Sequence, residues 1–288
     1  MRTLSLYWYA SESNFGDAFS PLAVAHCFGC AVRHGGKWNA DLVGEGSVLD
    51  FALLRDVPDG RMSAPLRRLR VAANRRLRKP LLVWGSGMLF PLKGDRHYLP
   101  IRRPRFLALR GELTRREMVR CGLAAAQADL ALGDPGLFMP EVLGVSWRPT
   151  CSRGLVLHAC SWRDGTAAAF GREHPEIRLI DPRRSPAEVV RDIAGCGEVF
   201  SSSLHGLVAA DALGIPNRWV GLQTSYASDE LNRFKFDDYY SAFGLRRRPC
   251  SVSEVAHTSP TDPPDPVVID AMKNGLRSVA EAWGKDSV

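Results

Sequence analysis

The chain has 288 residues, 45% of them apolar, which is enough to bury a sizeable core and to form two domains of about 100–150 residues each. No run approaches the roughly 18–20 apolar residues that a bilayer span needs, and Met1-Arg2 leads straight into Leu4-Ser5-Leu6-Tyr7-Trp8-Tyr9 without a cleavage signal, so neither a spanning nor an exported protein is expected. The net charge of +7 is unevenly placed: residues 61–120 carry 17 Lys or Arg against 3 acidic residues, a local balance of +14 that leaves −7 for the rest. Seven scattered cysteines suit reduced cytoplasmic thiols better than a disulfide framework. Cys27-Phe-Gly-Cys30 has no second pair and reads as structural, and no metal site is expected.

In chain order, Leu4–Tyr9 reads as a strand and Ala18–Phe28 as a helix ending at Gly29 with Pro21 in its first turn. Gly46–Leu49 is a candidate strand. Arg61–Lys79 sets Leu66, Leu69, Ala73 and Leu77 at helical spacing between arginines, a basic amphipathic helix suited to an anionic surface, an acidic ligand or solvent. Leu81–Trp84 and Phe106–Leu109 read as strands, and Thr114–Cys121 as a helix stopped by Gly122. The pattern restarts after Trp147-Arg148-Pro149-Thr150 with strands at Gly154–His158, Ile177–Ile180 and Val199–Phe200 and helices at Ala187–Ala194 and Leu207–Leu213. Alternating strands and helices predict an α/β fold with parallel sheets. The restart predicts two domains, residues 1–147 and 148–288, and an amphipathic helix at 267–283 should pack back on the body.

Chemistry-bearing residues gather at the predicted strand ends, where open α/β sheets bind ligands. Ser13-Asn14-Phe15-Gly16-Asp17 is a polar loop before a helix; Asp17 suits a base or hydroxyl acceptor, or simply an N-cap. Gly85-Ser86-Gly87 is a small-residue loop that lacks the continuation of a dinucleotide site. Arg110, just after a strand and five residues before Arg115, has a guanidinium fork that suits a carboxylate or phosphate, or a surface ion pair. Gly133-Asp134-Pro135 reads as a structural turn. Ser201-Ser202-Ser203-Leu204-His205-Gly206 places His205 in the first turn of a helix beside free backbone N–H groups, an arrangement for binding an anion or an ordinary capped helix. His158 ends a strand, and Lys235 lies among aromatics with Asp237 and Asp238.

Taken together, these segments resemble the polysaccharide pyruvyltransferase family, closest to its branch that decorates bacterial exopolysaccharides. The likeness is carried in order by Asn14-Phe15-Gly16-Asp17, Gly46-Ser47-Val48-Leu49, Trp84-Gly85-Ser86-Gly87, Arg110 to Arg115, Gly133-Asp134-Pro135, Ser202 to Leu207, Ala210 to Pro216 and Lys235 to Tyr239. One departure is Ser203, where other branches carry an arginine two residues before the histidine.

The resemblance implies two Rossmann-like domains arranged as in GT-B glycosyltransferases, with the site in the interdomain cleft. It implies transfer of the enolpyruvyl unit of phosphoenolpyruvate to two hydroxyls of a lipid-linked or nucleotide-linked saccharide, giving a cyclic pyruvate ketal without a cofactor or metal. His205 would be the acid and Asp17 the base. Asn14, Gly16, Gly85, Ser86, Arg110, Arg115, His158, Ser202, Ser203, Leu204, Gly206 and Lys235 would bind substrate. The expected setting is cytoplasmic, peripheral on the inner leaflet through the 61–79 helix, with an anionic membrane surface rather than nucleic acid as partner. A nucleotide-sugar glycosyltransferase of the same architecture and a polyanion- or membrane-binding module are the rival readings.

Overall fold

The computed structural model describes residues 2–56, 79–92, 98–100, 102–123, 130–221 and 229–285. The basic helix expected at 61–79 lies outside the described residues, except for Lys79. The chain is a mixed α/β structure built on two parallel sheets.

The first sheet contains β1 (Thr3–Tyr7), β2 (Ala31–His34), β3 (Leu42–Val43), β5 (Leu81–Val83) and β7 (Pro104–Phe106) in the order β2-β1-β3-β5-β7. The intervening β4 (Leu54–Asp56) and β6 (Tyr98–Pro100) form a separate antiparallel pair, and α2 (Leu49–Leu53) precedes β4. In β1, Leu4, Ser5 and Leu6 are all buried, as expected for a strand covered on both faces. The crossover α1 (Phe15–Phe28) starts three residues before the expected Ala18 because Asn14 caps it, its Oδ1 accepting from Gly16 N at 3.0 Å. Pro21 therefore lies in the helix interior, where it cannot donate to the Asp17 carbonyl. The helix ends at Gly29 in the left-handed region, φ 59°.

Two strand expectations are corrected. Gly46–Leu49 is a loop leading into α2, because Gly46 adopts φ 111°; the strand of this segment is Leu42–Val43. Phe106–Leu109 is divided between β7 and β8 (Ala108–Leu109), and β8 pairs with β9 (Ala131–Leu132) in a small parallel ladder. The helix after β8, α3 (Glu112–Arg120), is followed by Gly122 at φ 64°. A 3₁₀ turn, Pro135–Phe138, runs into α4 (Met139–Leu143).

The second sheet has the order β11-β10-β12-β13, with β10 Cys151–Val156, β11 Arg178–Ile180, β12 Cys196–Ser201 and β13 Asn217–Trp219. Short helices α5 (Ala159–Arg163) and α6 (Thr166–Glu173) follow β10, and α7 (Pro186–Ala194) precedes β12 behind a Ser185–Glu188 capping box. Helix α8 (Leu204–Ala212) leaves β12 directly and is followed by Gly214 at φ 72°.

A continuous apolar core joins the sheets: Leu4, Leu6, Phe15 and Phe19 belong to the same cluster as Val156, Ile180, Val199 and Ala209. Two later helices cross between them. Helix α9 (Asp229–Ser241) contacts α3, and α10 (Pro266–Lys285) lies on α1 and β9. The buried Trp84 indole donates to Leu276 O at 3.0 Å, and Phe28 meets Trp283 edge-on with ring centroids 5.6 Å apart. All seven cysteines are free, and burial pushes the Cys27 thiol up to about 12. No helix among the described residues is long and apolar enough to cross a membrane.

Candidate active site

In each sheet the chain reverses its direction of growth at one strand, β1 in the first and β10 in the second, and the carboxyl ends of such strands and their neighbours border a crevice. The loops after β1 and β3 bring Asn14, Gly16, Asp17 and Glu45; those after β10 and β12 bring His158 and Ser202 to His205. The helix starts of α1 and α8 meet there. Gly16 lies so close to the imidazole that a Cβ on it would be 1.8 Å from His205 Nδ1, and Phe15 N donates to Pro182 O across the junction at 2.8 Å. Gly16 is required for this close approach.

Helix α8 fits because Gly206 rests on Ser201, where a Cβ would meet Oγ at 2.3 Å. The Ser201 hydroxyl donates to Ser203 O at 2.8 Å and accepts from Ser203 N at 3.0 Å, fixing the turn. Ser202 Oγ accepts from His158 N at 2.9 Å, tying the two strand ends together. Ser203 occupies the N-cap position but makes no side-chain capping bond. The positive end of α8 is thus suited to an anion. Leu204 packs in the core, so only its backbone can contribute.

His205 is 7% exposed. Burial first, then the charges of Arg110 and Lys235, lower its pKa to about 3, so the ligand-free imidazole is neutral. His158, which caps α5, is lowered to about 4 by burial, Lys235 and Arg163, opposed by Glu12. Asp17 is raised to about 7 by burial, with Asp134 and Glu12 adding to the rise and Lys235 opposing it. Lys235 is lowered to about 8 by burial and Arg110, opposed by Asp17 and Cys160. Among the described residues Lys235 makes no hydrogen bond or ion pair, and its ammonium lies 5.2 Å from the Phe236 ring centroid. A neutral imidazole, a carboxyl raised toward neutrality and a cation without an ion-pair partner among the described residues therefore come together at the sheet ends, an arrangement able to support acid–base chemistry.

Several expected ligand residues have other work. Arg110 is 0% exposed; its Nε donates to Asp238 Oδ2 at 2.9 Å, Nη1 to Ser47 Oγ at 2.5 Å and Nη2 to Met88 O at 2.7 Å. With all three nitrogens engaged and the group sealed from solvent, the structure shows Arg110 as an internal tie rather than a guanidinium presented to the crevice. Arg115 pairs with Glu112 through Nε at 2.6 Å, on a surface it shares with Arg116, Val119 and Arg120 rather than at the crevice. Ser86 is buried and donates to Gly46 O at 3.1 Å, while Gly85, at φ 72°, makes room for Pro135. Both shape the wall without presenting a side chain to it.

Sequence reasoning passed over two residues. Glu45 and Asp134 are both 0% exposed, and their oxygens lie with a His205 nitrogen inside 4.8 Å, close enough to surround a cation. Arg110 supplies positive charge beside Asp134, and Arg110 and Lys235 both act on His205. A proton on Glu45 is the simpler neutralising charge there, because burial raises that carboxyl well above the usual carboxylate range, while Asp134 rises to about 6. The available signals were an acidic residue between glycines after a strand, Gly44-Glu45-Gly46, and the Asp of Gly133-Asp134-Pro135, which looked like ordinary turn chemistry.

A histidine at a helix start with buried acids around it, set between two parallel sheets, is a site equipped for acid–base chemistry. Comparison with known proteins gives the family. The family model for polysaccharide pyruvyl transferase matches residues 42–224, and the chain belongs to that family. The succinoglycan biosynthesis protein ExoV of Rhizobium meliloti (strain 1021) is 29% identical over 147 residues, 49% of this chain and 42% of ExoV. An uncharacterized protein of Acanthamoeba polyphaga mimivirus is 28% identical over 124 residues, 42% of each chain. The match thus spans less than half the length of either relative. A functionally uncharacterized protein of Klebsiella pneumoniae subsp. pneumoniae NTUH-K2044 overlays with a TM-score of 0.41 at 14% identity, over 86% of this chain and 92% of that one.

Proposed function

We propose that the protein transfers the enolpyruvyl unit of phosphoenolpyruvate to two hydroxyls of a saccharide during exopolysaccharide synthesis, releasing phosphate and leaving a cyclic pyruvate ketal. The observation that carries this reading is the meeting of His205, at the uncapped start of α8, with Lys235 and Asp17 in one crevice. Family membership and the likeness to a succinoglycan biosynthesis protein support it.

The donor is a trianion. The α8 N-terminus and Lys235 would hold it, and its charge would offset the two cations that keep His205 neutral. His205 then protonates the methylene carbon, and the oxocarbenium-like centre takes the first hydroxyl, whose proton Asp17 accepts. The second hydroxyl displaces phosphate. One hydroxyl proton replaces the one given to carbon, and the other leaves with phosphate. We place the acceptor between the N-terminal half, residues 1–147, and the C-terminal half, 148–288, in a cleft resembling that of GT-B enzymes. The expected setting is cytoplasmic, where phosphoenolpyruvate and carrier-linked saccharides are both available.

The test is incubation of purified protein with phosphoenolpyruvate and lipid-linked or nucleotide-linked oligosaccharides, following phosphate release and the ketal methyl resonance by NMR. Phosphate release with a ketal product supports the proposal. Nucleotide release from a nucleotide sugar would establish a glycosyltransferase, and polyanion binding without turnover would establish a binding module.

A further inference from the structure

The surroundings of His205 raise a question that the proposed reaction does not answer: where a neutral, buried imidazole obtains the proton it donates. The side chain beside it is Glu45, whose Oε1 lies 3.3 Å from His205 Nε2. Glu45 is 0% exposed, and among the described residues neither of its oxygens has a hydrogen-bond partner; His205 Nε2 and Asp134 Oδ2 are likewise without one. A buried carboxyl with no partner is costly, and a protonated one whose O–H points at an imidazole nitrogen is the arrangement that removes the cost.

The pocket holds Glu45 in that place. A Cβ on Gly136 would lie 3.1 Å from Glu45 Oε1 and 3.0 Å from Asp134 Oδ1, so the glycine admits both acids. On the other side, a Cβ on Gly16 would meet Nδ1, Cγ and Cε1 of the ring at 1.8, 2.1 and 2.6 Å, so the glycine packs over the imidazole, and Phe15 meets it edge-on with centroids 6.3 Å apart; together they hold the ring with Nε2 toward Glu45. The charged groups around the pair are Asp134 and Asp17, which disfavour a Glu45 carboxylate, and Arg110 and Lys235, which disfavour an imidazolium.

We propose that Glu45 is the proton store for His205: a protonated carboxyl that donates to Nε2 in the resting site and passes its proton to the ring when an anionic substrate occupies the crevice. The transfer itself rests on the pyruvyl-transfer reading, whereas the resting hydrogen bond does not. In the step, the Glu45 O–H bond breaks as Nε2–H forms, and the Nδ1–H bond breaks as the new C–H bond forms on the substrate methylene. The ring is left neutral as its other tautomer beside a Glu45 carboxylate. The acceptor hydroxyl proton taken by Asp17 restores the count. Glu45 acts through His205 and is a positioning residue.

The decisive experiment needs no turnover. In ligand-free protein at pH 7, ¹⁵N NMR of His205 should show a neutral ring protonated at Nδ1, and the infrared difference between wild type and Glu45→Gln should contain a carboxylic-acid C=O band. An imidazolium, a ring protonated only at Nε2, or a carboxylate band in that difference would overturn the proposal. So would stoichiometric Zn²⁺ or Mn²⁺ bound by wild type and lost in Glu45→Gln. Kinetically, Glu45→Gln should lower kcat by about 10²-fold, at the low end of acid–base effects, with KM for phosphoenolpyruvate within about threefold, since general acid–base groups act on the chemical step. Glu45→Asp should recover part of the loss. A kcat within threefold of wild type would reject the relay. If wild type turns over no phosphoenolpyruvate, the pyruvyl-transfer reading fails by itself, and the NMR and infrared results still decide the proton pair.

Discussion

The two cations beside His205 stand in contrasting regions. Arg110 is enclosed where β8 meets α3 and α9: Asp238 bonds it, accepts from Thr114 N at 2.7 Å and from Thr114 Oγ1 at 2.8 Å, and so caps α3 from another helix. Gly111 lets the α9 backbone approach closely, and Ser241 Oγ accepts from Glu112 N at 2.9 Å. Lys235, one turn earlier on α9, is partly exposed and unpaired among the described residues. The satisfied charge builds the scaffold, whereas the charge without a partner among the described residues is the one the proposed function assigns to the substrate. Arg110 and Asp238 fix α9 on one side, while Tyr239 Oη donating to Asp211 Oδ2 at 3.0 Å fixes it on the other, and Lys235 takes its place from both.

The largest expected effect lies at the residue both regions serve. His205→Gln should lower kcat by about 10²–10⁴-fold with an unchanged circular dichroism spectrum; retention of more than a tenth of the activity would remove the acid role. Arg110→Met should lower unfolding free energy by about 3–5 kcal/mol because Asp238 is left as an unpaired buried charge. Arg110→Met with Asp238→Leu should recover part of it. A urea midpoint unchanged in the single variant would erase the distinction between the two cations.

Lys235→Met is expected to do the opposite: to leave the urea midpoint near wild type and raise KM for phosphoenolpyruvate by roughly 10–100-fold, the worth of a charged hydrogen bond of about 1.5–3 kcal/mol. The pH profile sharpens this. For free enzyme, kcat/KM should rise through about pH 7 as Asp17 loses its proton and becomes a base, and fall above about pH 8 as Lys235 loses its charge. Asp17→Asn should remove the acid limb and leave the alkaline one.

The smallest effect is on stability. The His205 pKa is depressed on folding, so the unfolded chain takes up the proton first as the medium is acidified. The contribution of the neutral ring is fully present above the unfolded value of about 6.5 and is lost as pH falls toward about 3. The stability difference between wild type and His205→Gln should narrow over that interval; a difference constant from pH 7 to pH 4 would contradict the neutral assignment.

Much of this organisation was legible in the sequence, for definite reasons. Gly29 and Gly122 marked helix ends because each takes a left-handed conformation, and the serines before Leu204 marked the start of α8. The loops after β1, β10 and β12 declared themselves through polar residues at strand ends. Arg110 could not be assigned from sequence, since a guanidinium after a strand looks the same whether it faces a ligand or a partner 128 residues away. Glu45 was hidden for a related reason: its significance lies in contacts with His205 and Gly136, distant in the chain. Helix starts are written locally, but the satisfaction of a buried charge is not.

The seating of α10 bears on how the molecule is made. Trp84 of the first sheet relies on Leu276 for its indole hydrogen bond, and Arg2 stacks over the Trp283 ring at 4.0 Å. During synthesis the N-terminal half therefore leaves the ribosome with an indole N–H unsatisfied and an apolar flank of α1 uncovered, and both stay so until residues 266–285 have emerged. A nascent chain halted before that point should hold its first sheet more loosely than the finished protein.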